Sequence, residues 1–248
     1  MDIESKLDTD RFGFKIGKTN GDIFADNPSE TIKKLEDLGY KLLIARVDFK
    51  DIELINKLEE FGFRVKDSQM TYRYQLKDFK SDYIKFDTID YVIREFKGSD
   101  TKTLMSIAKK SFNNYGHYFA NDKLNKEKCQ EIYEDWTYNS CVNKNVADKI
   151  FVAEFNGEPI GFLSFKIYYK DGNSYAAGGM GAVDLEHRGK QIFPRLVLSG
   201  LQWGSVIGLD WEEHNVIVNN SPVNKSFTKM DFKPDDVVIT MHCWLNKK

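Results

Sequence analysis

Cysteine is scarce. The three present, Cys129, Cys141 and Cys243, are odd in number and lack CxxC spacing, which argues against a disulfide framework or a zinc site and suits a reducing compartment. An excess of charge of one sign is also missing. Lys and Arg total 36 against 38 for Asp and Glu, a formal net charge of -2, so no cationic surplus is available to neutralise a phosphate backbone and nucleic acid is not an expected partner. No stretch approaches the ~20 apolar residues a membrane-spanning helix needs. The opening MDIESKLDTD is rich in acids, with no apolar run after it, so neither a secretory nor a transit signal is expected. These absences predict a cytoplasmic protein without metal, membrane or nucleic-acid partner.

What is present is a composition for folding: 248 residues, 41% hydrophobic, 14% aromatic and 30% charged, enough for one or two globular domains. Two segments echo each other, LEDLGYKLL at 35–43 and LEEFGFRVK at 58–66. Each reads as a helix end, a glycine (Gly39 or Gly62) where a left-handed cap is needed, and an aromatic opening a strand. The strands predicted are 41–47 and 64–76, the second with Met70, Tyr72, Tyr74 and Leu76 on one face. Residues 77–90 mix charge and aromatics without a period and mark a junction, giving domains 1–85 and 86–248. Beyond it the pattern predicts a strand at 91–96, a helix at 100–112 with Ser99 as N-cap, a loop at 113–122, and a helix at 125–142. The apolar stripe of that last helix, Cys129, Ile132, Tyr133 and Trp136, reads first as core. Three strand-like runs follow, 150–154, 159–169 and 175–183, joined by turns at Asn156–Glu158 and Asp171–Ser174 as an antiparallel meander. After the tight segment 184–191 come a helix with Pro194 in its first turn, a strand at 214–218, a helix at 221–230 and a strand at 237–244. The class is α/β, in the α+β sense.

The turn His187–Lys190 between strand and helix places Gly189, Arg188 and Lys190 beside free helix amides, an arrangement suited to a pyrophosphate; taken alone it reads first as an exposed basic loop with a glycine bend. The closing segment, VNNSPVNKSFTKMDF at 218–232, adds to it. Together they resemble the acyl-CoA-binding half of the GNAT acetyltransferase superfamily. Arg188, Asn220, Val223, Lys229 and Phe232 match its motifs, whereas Gln191 and Phe193 replace two turn glycines, Phe227 stands at the usual tyrosine, and Asp231 replaces a glycine. The resemblance implies a mixed central sheet that splays open to admit the pantetheine arm, preceded here by a smaller α/β domain that completes the acceptor cleft. Further segments (DTDRFGFKIG at 8–17, LGYKLLIARV at 38–47, GFRVKDSQMTY at 62–72, FAND at 119–122 and IYEDW at 132–136) are similar to one GNAT branch, the TDP-fucosamine acetyltransferases. That branch acetylates the 4-amino group of a TDP-linked 4-amino-4,6-dideoxyhexose for surface polysaccharide.

The resemblance therefore implies acetyl-CoA, or another acyl-CoA, as donor and a nucleotide sugar as acceptor, with no metal and a homodimer as the candidate assembly. Donor-binding candidates are Ala182, Val183, Arg188, Gly189, Lys190, Gln191, Ile192, Phe193, Asn220, Asn224 and Phe227, with helix capping the plain alternative for Asn220. Gly178, Gly179 and Gly181 suit close ligand approach or a strand bulge. Acyl transfer to an amine requires deprotonation of the amine. His117, with an ordinary pKa of ~6.5, is the base candidate, and Asp67 is the second, equally readable as a solvated charge at a strand edge. Tyr115, Tyr118, Phe119, Asp122, Trp136 and Gly179 are candidates to face the acceptor, with core packing the commoner fate of such aromatics. Phe227 leaves the thiolate without a donor, a role Tyr118 can take. His214 and His242 read as strand residues without a task. A different small amine as acceptor, or a degenerate module that only binds acyl-CoA, are the competing readings.

Overall fold

The computed structural model describes residues 2–80 and 90–245. The expected junction at 77–90, with its cut after residue 85, lies largely outside them. Backbone contacts divide the chain into one unit of Met1–Met70, Asn114–Cys129 and Asp236–Lys248 and a second of Thr71–Asn113 and Gln130–Asp235.

The first unit opens with α1 (Lys6–Phe12), β1 (Ile16–Thr19), α2 (Pro28–Asp37), β2 (Leu42–Asp48), α3 (Ile52–Glu60) and most of β3 (Arg64–Gln75). Both echoed segments form as their sequence dictates. Asn27 and Asp51 cap α2 and α3 by accepting the backbone N–H of Glu30 and Leu54 at 3.2 and 3.0 Å, while Gly39 and Gly62 end them with φ of 86° and 87°, a conformation that costs glycine nothing. Each helix then buries its leucine, Leu35 or Leu58, with Tyr40 and Phe63 against the sheet. β1 pairs parallel with β2, and β2 antiparallel with the end of the last strand, Arg46 opposite Thr240 and Leu42 opposite Trp244.

The second unit contains the remainder of β3, then β4 (Val92–Glu95), α4 (Thr101–Ser111), most of α6 (Lys126–Val142), β5 (Lys149–Phe155), β6 (Glu158–Lys170), β7 (Asn173–Val183), α7 (Ile192–Val206), β8 (Trp211–Ile217), α8 (Ser221–Lys229) and the start of β9 (Lys233–Trp244). The helical turn α5 (Gly116–Phe119) belongs to the first unit. β4 to β7 are an antiparallel meander, and β8 joins β7 in parallel, so the sheet is mixed. The hairpin turns Asn156–Gly157 and Asp171–Gly172 hold both residues at positive φ, the geometry that matches strand twist. Among the described residues no helix is long and apolar enough to cross a membrane.

Three local expectations are corrected. The N-cap position of α4 falls on Asp100, not Ser99, and carries no side-chain cap bond; the Asp100 carboxylate instead takes both Arg94 Nη1 and Nη2, at 2.7 and 3.0 Å, and the Lys97 N–H, closing a 3-10 turn at Gly98–Asp100 that contains Ser99. The expected loop 113–122 contains α5. Trp136 is 46% exposed while Cys129 and Tyr133 of the same stripe are buried, so α6 buries only part of it.

Candidate active site

In the second unit, β7 is built to part from its neighbour. Leu163 pairs with Gly181 but Phe165 with Gly178, so Ser164 alone faces Gly179 and Met180 in a β-bulge. Ser164 Oγ donates to the Met180 carbonyl at 3.1 Å, and a Cβ at Gly179 or Gly181 would stand 2.8 Å from Ser164 Oγ or 2.6 Å from Leu163 Cδ1. Glycine at both places lets Ser164 and Leu163 keep their positions; a larger residue would make those side chains shift. Pairing of β7 with β8 covers only Tyr175–Gly178 against Trp211–His214, although β7 continues to Val183 and β8 to Ile217. Beyond Gly178 that side of β7 has no ladder partner among the described residues. A linear ligand carrying amides can add to such an edge as a strand does.

Past Val183, Asp184 caps a short turn through the Glu186 N–H at 3.0 Å, Arg188 Nε donates to the Val183 carbonyl at 3.3 Å, and the chain enters α7 through Gly189 (φ 80°) and Gln191 (φ 60°). Gln191 is the N-cap of α7 but makes no side-chain cap bond, so the first amides of this 15-residue helix are not taken by their own cap. Arg188, Gly189, Lys190 and Gln191 are exposed. Tyr91 Oη donates to the Lys190 carbonyl at 3.0 Å and steadies the bend. The predicted residues Ala182, Val183 and 188–193 are thus contiguous, and they present backbone, glycine and cations.

Behind the split lies a buried polar pair. Glu212 Oε1 and His214 Nε2 are 2.8 Å apart, with 0% and 4% exposure. Burial raises the Glu212 carboxyl well above the usual carboxylate range and depresses His214 to about 3, so both are neutral and the carboxylic acid donates to Nε2. Small residues make room: a Cβ at Gly178 would fall 1.9 Å from His214 Nδ1, and one at Gly200 would fall 2.6 Å from Glu212 Oε2. Phe227 is fully buried, stacked on Tyr72 at 5.3 Å and packed on His214 at 4.7 Å. Its ring is a core side chain set between Tyr72 and His214. Asn220 makes no side-chain cap bond. Instead Asn224 Nδ2 ties the strand-to-helix turn together by donating to the carbonyls of Ile217, Val218 and Asn220 at 3.3, 3.0 and 2.9 Å.

In the first unit a second buried network joins α5 to β9. Asn121 Oδ1 accepts from Trp244 Nε1 and from the Lys123 backbone N–H, each at 3.2 Å. That orients the amide, whose Nδ2 donates to His242 Nδ1 at 2.8 Å. His242 must then carry its hydrogen on Nε2 and donate it to His117 Nδ1, 2.9 Å away, leaving the His117 hydrogen on Nε2. Burial first, then the neighbouring His242, Arg46 and Lys18, hold His117 well below the ordinary range, and burial brings His242 to about 3. Both imidazoles are neutral and the chain of donors has one direction. Neither carboxylate oxygen of Asp67 is in hydrogen-bond geometry, although the Thr240 hydroxyl and the His117 backbone N–H lie near enough to favour its charged form; burial outweighs them and the carboxyl pKa is raised. Tyr118 is 6% exposed, and its hydroxyl meets both oxygens of the buried Asp8 at 3.1 Å together with Lys18 Nζ. Tyr115 and Phe119 are half-buried and Asp122 is exposed. The unit thus brings His117, Asp67, Tyr115, Tyr118 and Phe119 to one segment pair, while Trp136 and Gly179 belong to the second unit. No group of side chains suited to a metal ion occurs among the described residues.

The model of the acetyltransferase (GNAT) family matches residues 104–232. The chain belongs to this family. No curated protein sequence matches it. Solved structures share the fold: a tandem GNAT protein from the clavulanic acid biosynthesis pathway (TM-score 0.63, 14% identity, covering 88% of this chain and 69% of that one); a GCN5-related N-acetyltransferase from Kribbella flavida (0.61, 10%, 92% and 80%); and another from Sphaerobacter thermophilus (0.57, 12%, 90% and 67%). The protein is an acetyl-CoA-dependent N-acetyltransferase of the GNAT type. Its split strand and bulged β7 fit an acyl-CoA, because the ligand's amides find an unpaired edge where glycines remove side-chain bulk.

Sequence reasoning passed over four residues of these networks. His242 reads as a strand residue without a task, yet strand alternation alone puts Thr240, His242 and Trp244 on one face; Asn121 carries no signal beyond its place in FAND. Glu212 and His214 are likewise spaced by two on β8, a pattern that pairs them whenever that face is buried.

Proposed function

We propose that this GNAT enzyme moves an acetyl or other acyl group from acyl-CoA to the 4-amino group of a nucleotide-linked, TDP-type 4-amino-4,6-dideoxy sugar, by direct attack, in the making of cytoplasmic precursors for surface polysaccharide. The observation that carries acyl transfer is the β7–β8 split beyond Gly178. The aminosugar acceptor is supported by the ordered run of segments similar to the TDP-fucosamine acetyltransferases.

The donor's pantetheine amides are held by the backbone of Gly179–Val183, and its pyrophosphate by the amides of 189–193 with Arg188 and Lys190. β7 amides beside the thioester carbonyl stabilise the charge that grows on its oxygen. His117 enters this reading as a hydrogen-bond donor for the acceptor. Its Nδ1 lone pair is already occupied by the His242 N–H, and its Nε2 carries a hydrogen, so the base role first expected of it passes to Asp67. A carboxylate with a raised pKa is the better proton acceptor; both of its oxygens are buried, so in this reading the proton reaches it through a water admitted with the acceptor.

The test is release of free thiol from acetyl-CoA with TDP-4-amino sugars, with a panel of small amines, and without acceptor. Release confined to the nucleotide sugars is expected. Turnover with another amine alone would replace the acceptor, and saturable acyl-CoA binding without release under every condition would reduce the protein to a binding module.

A further inference from the structure

Departure of a thiolate is eased by an acid at the sulfur, and Phe227 has no proton to give. Tyr72 lies on β3, within the second unit. Thr71 Oγ1 donates to Asn215 Oδ1 at 2.8 Å and Arg73 Nη2 to Glu213 Oε2 at 3.4 Å, which brackets Tyr72 at the level of His214 on the neighbouring strand. That is the level at which β7 and β8 part, since their last pair is Gly178 with His214. The Tyr72 ring stacks on Phe227 with 5.3 Å between centroids and 20° between planes. The stack is thus half tyrosine, with the hydroxyl on the strand member instead of the helix member. Tyr72 is 7% exposed; its hydroxyl makes no hydrogen bond among the described residues and is not fully sealed from solvent. A nearly buried phenol whose free hydroxyl reaches accessible space is unusual, because buried tyrosines ordinarily find a partner. The alternatives nearby are engaged: Tyr91 Oη on the Lys190 carbonyl, and His214 Nε2 on Glu212.

We infer that Tyr72 is the proton donor to the leaving sulfur, an assignment that rests on the acyl-transfer reading above. As the acceptor nitrogen bonds to the acyl carbon, the carbon–sulfur bond breaks, its electron pair stays on sulfur, and the Tyr72 O–H proton moves to that sulfur to give the free thiol. The proton lost from the amine returns to the tyrosinate through water, so the sum is amine plus thioester giving amide plus thiol.

Two measurements test it. Tyr72→Phe keeps the ring on Phe227, and it is expected to lower kcat about 100-fold, the range of general acid catalysis, with KM for acetyl-CoA within about two-fold; Phe227→Tyr added to it restores about ten-fold of the loss by returning a hydroxyl to the same stack. Independently of turnover, the ultraviolet absorbance of the thiolate of bound coenzyme A, followed against pH, is expected to titrate at lower pH in the wild type than in Tyr72→Phe, because an O–H at sulfur stabilises the thiolate. An unchanged kcat, or identical thiolate titrations in the two proteins, would overturn the assignment. A wild type that releases no thiol with any acceptor would instead overturn the acyl-transfer reading, and the titration of bound coenzyme A would still decide where Tyr72 points.

Discussion

His242 Nε2 lies 2.9 Å from His117 Nδ1, and the direction of that bond is set on the other side of the His242 ring, at the amide of Asn121. Because Trp244 and the Lys123 backbone both donate to Asn121 Oδ1, the only hydrogen available between the imidazoles is that of His242. Long-range nitrogen–proton spectra of the imidazoles are expected to show His117 protonated on Nε2. Asn121→Asp replaces the donor to His242 Nδ1 by an acceptor, so both tautomers should invert and His117 should carry its hydrogen on Nδ1. A wild-type His117 protonated on Nδ1 would disprove the relay.

Asp67 must be ionised to accept a proton, and its pKa is raised by burial. Activity should therefore decline on acidification, with the acid limb of kcat/KM lying above the ordinary carboxylate range. Asp67→Asn is expected to lower kcat about 100-fold and to abolish that limb, while a pH–rate profile unchanged in the variant would return the base role to another group.

Stability should respond to pH in two opposite ways. His117 and His242 have folded pKa values depressed below the unfolded 6.5, so the unfolded chain binds more protons below that pH. Their contribution is complete above about 6.5 and is lost as the pH falls below it, by up to about 1.4 kcal/mol per pH unit for each imidazole. Glu212 is raised above its unfolded 4.5; its contribution is complete below that value and is lost as the pH rises. Urea unfolding of Glu212→Gln, which keeps a donor to His214, should gain on the wild type by up to about 1.4 kcal/mol per pH unit above 4.5. A gap between the two proteins that does not change with pH would mean Glu212 is ionised in the fold.

Gly178 is required by the side chain of its strand neighbour. A Cβ there would stand 1.9 Å from His214 Nδ1, and Gly178→Ala is expected to destabilise by about 3 kcal/mol. Gly98→Ala, where nothing lies within 4 Å and φ is not positive, should stay within about 0.5 kcal/mol. Equal melting temperatures for the two variants would show that β7 relaxes away from His214.

Much of the fold was readable from short stretches of chain. Gly39 and Gly62 end helices, Asn156–Gly157 and Asp171–Gly172 turn hairpins, and Arg188–Gly189 bends into α7, because each of these choices is made by a backbone dihedral or a neighbour within a few residues. Ser99 failed as a cap for the opposite reason: the competitor Asp100 is chosen by Arg94, whose guanidinium arrives from a strand. Trp136 likewise has the right period to be core and is exposed, since periodicity names a face without saying how much of it a neighbour covers.

By itself, then, the sequence determined the helices, hairpins, bulge-prone glycines and the basic turn that leads into α7, all of them local in origin. Only the tertiary structure decided which polar groups meet. His117 and His242 stand 125 residues apart in the chain, and Tyr72 of strand β3 finds Phe227 of helix α8. Such pairs depend on strand order and register, which are set by burial of whole faces at once, and a buried histidine takes its tautomer and its charge from whatever that burial brings against it.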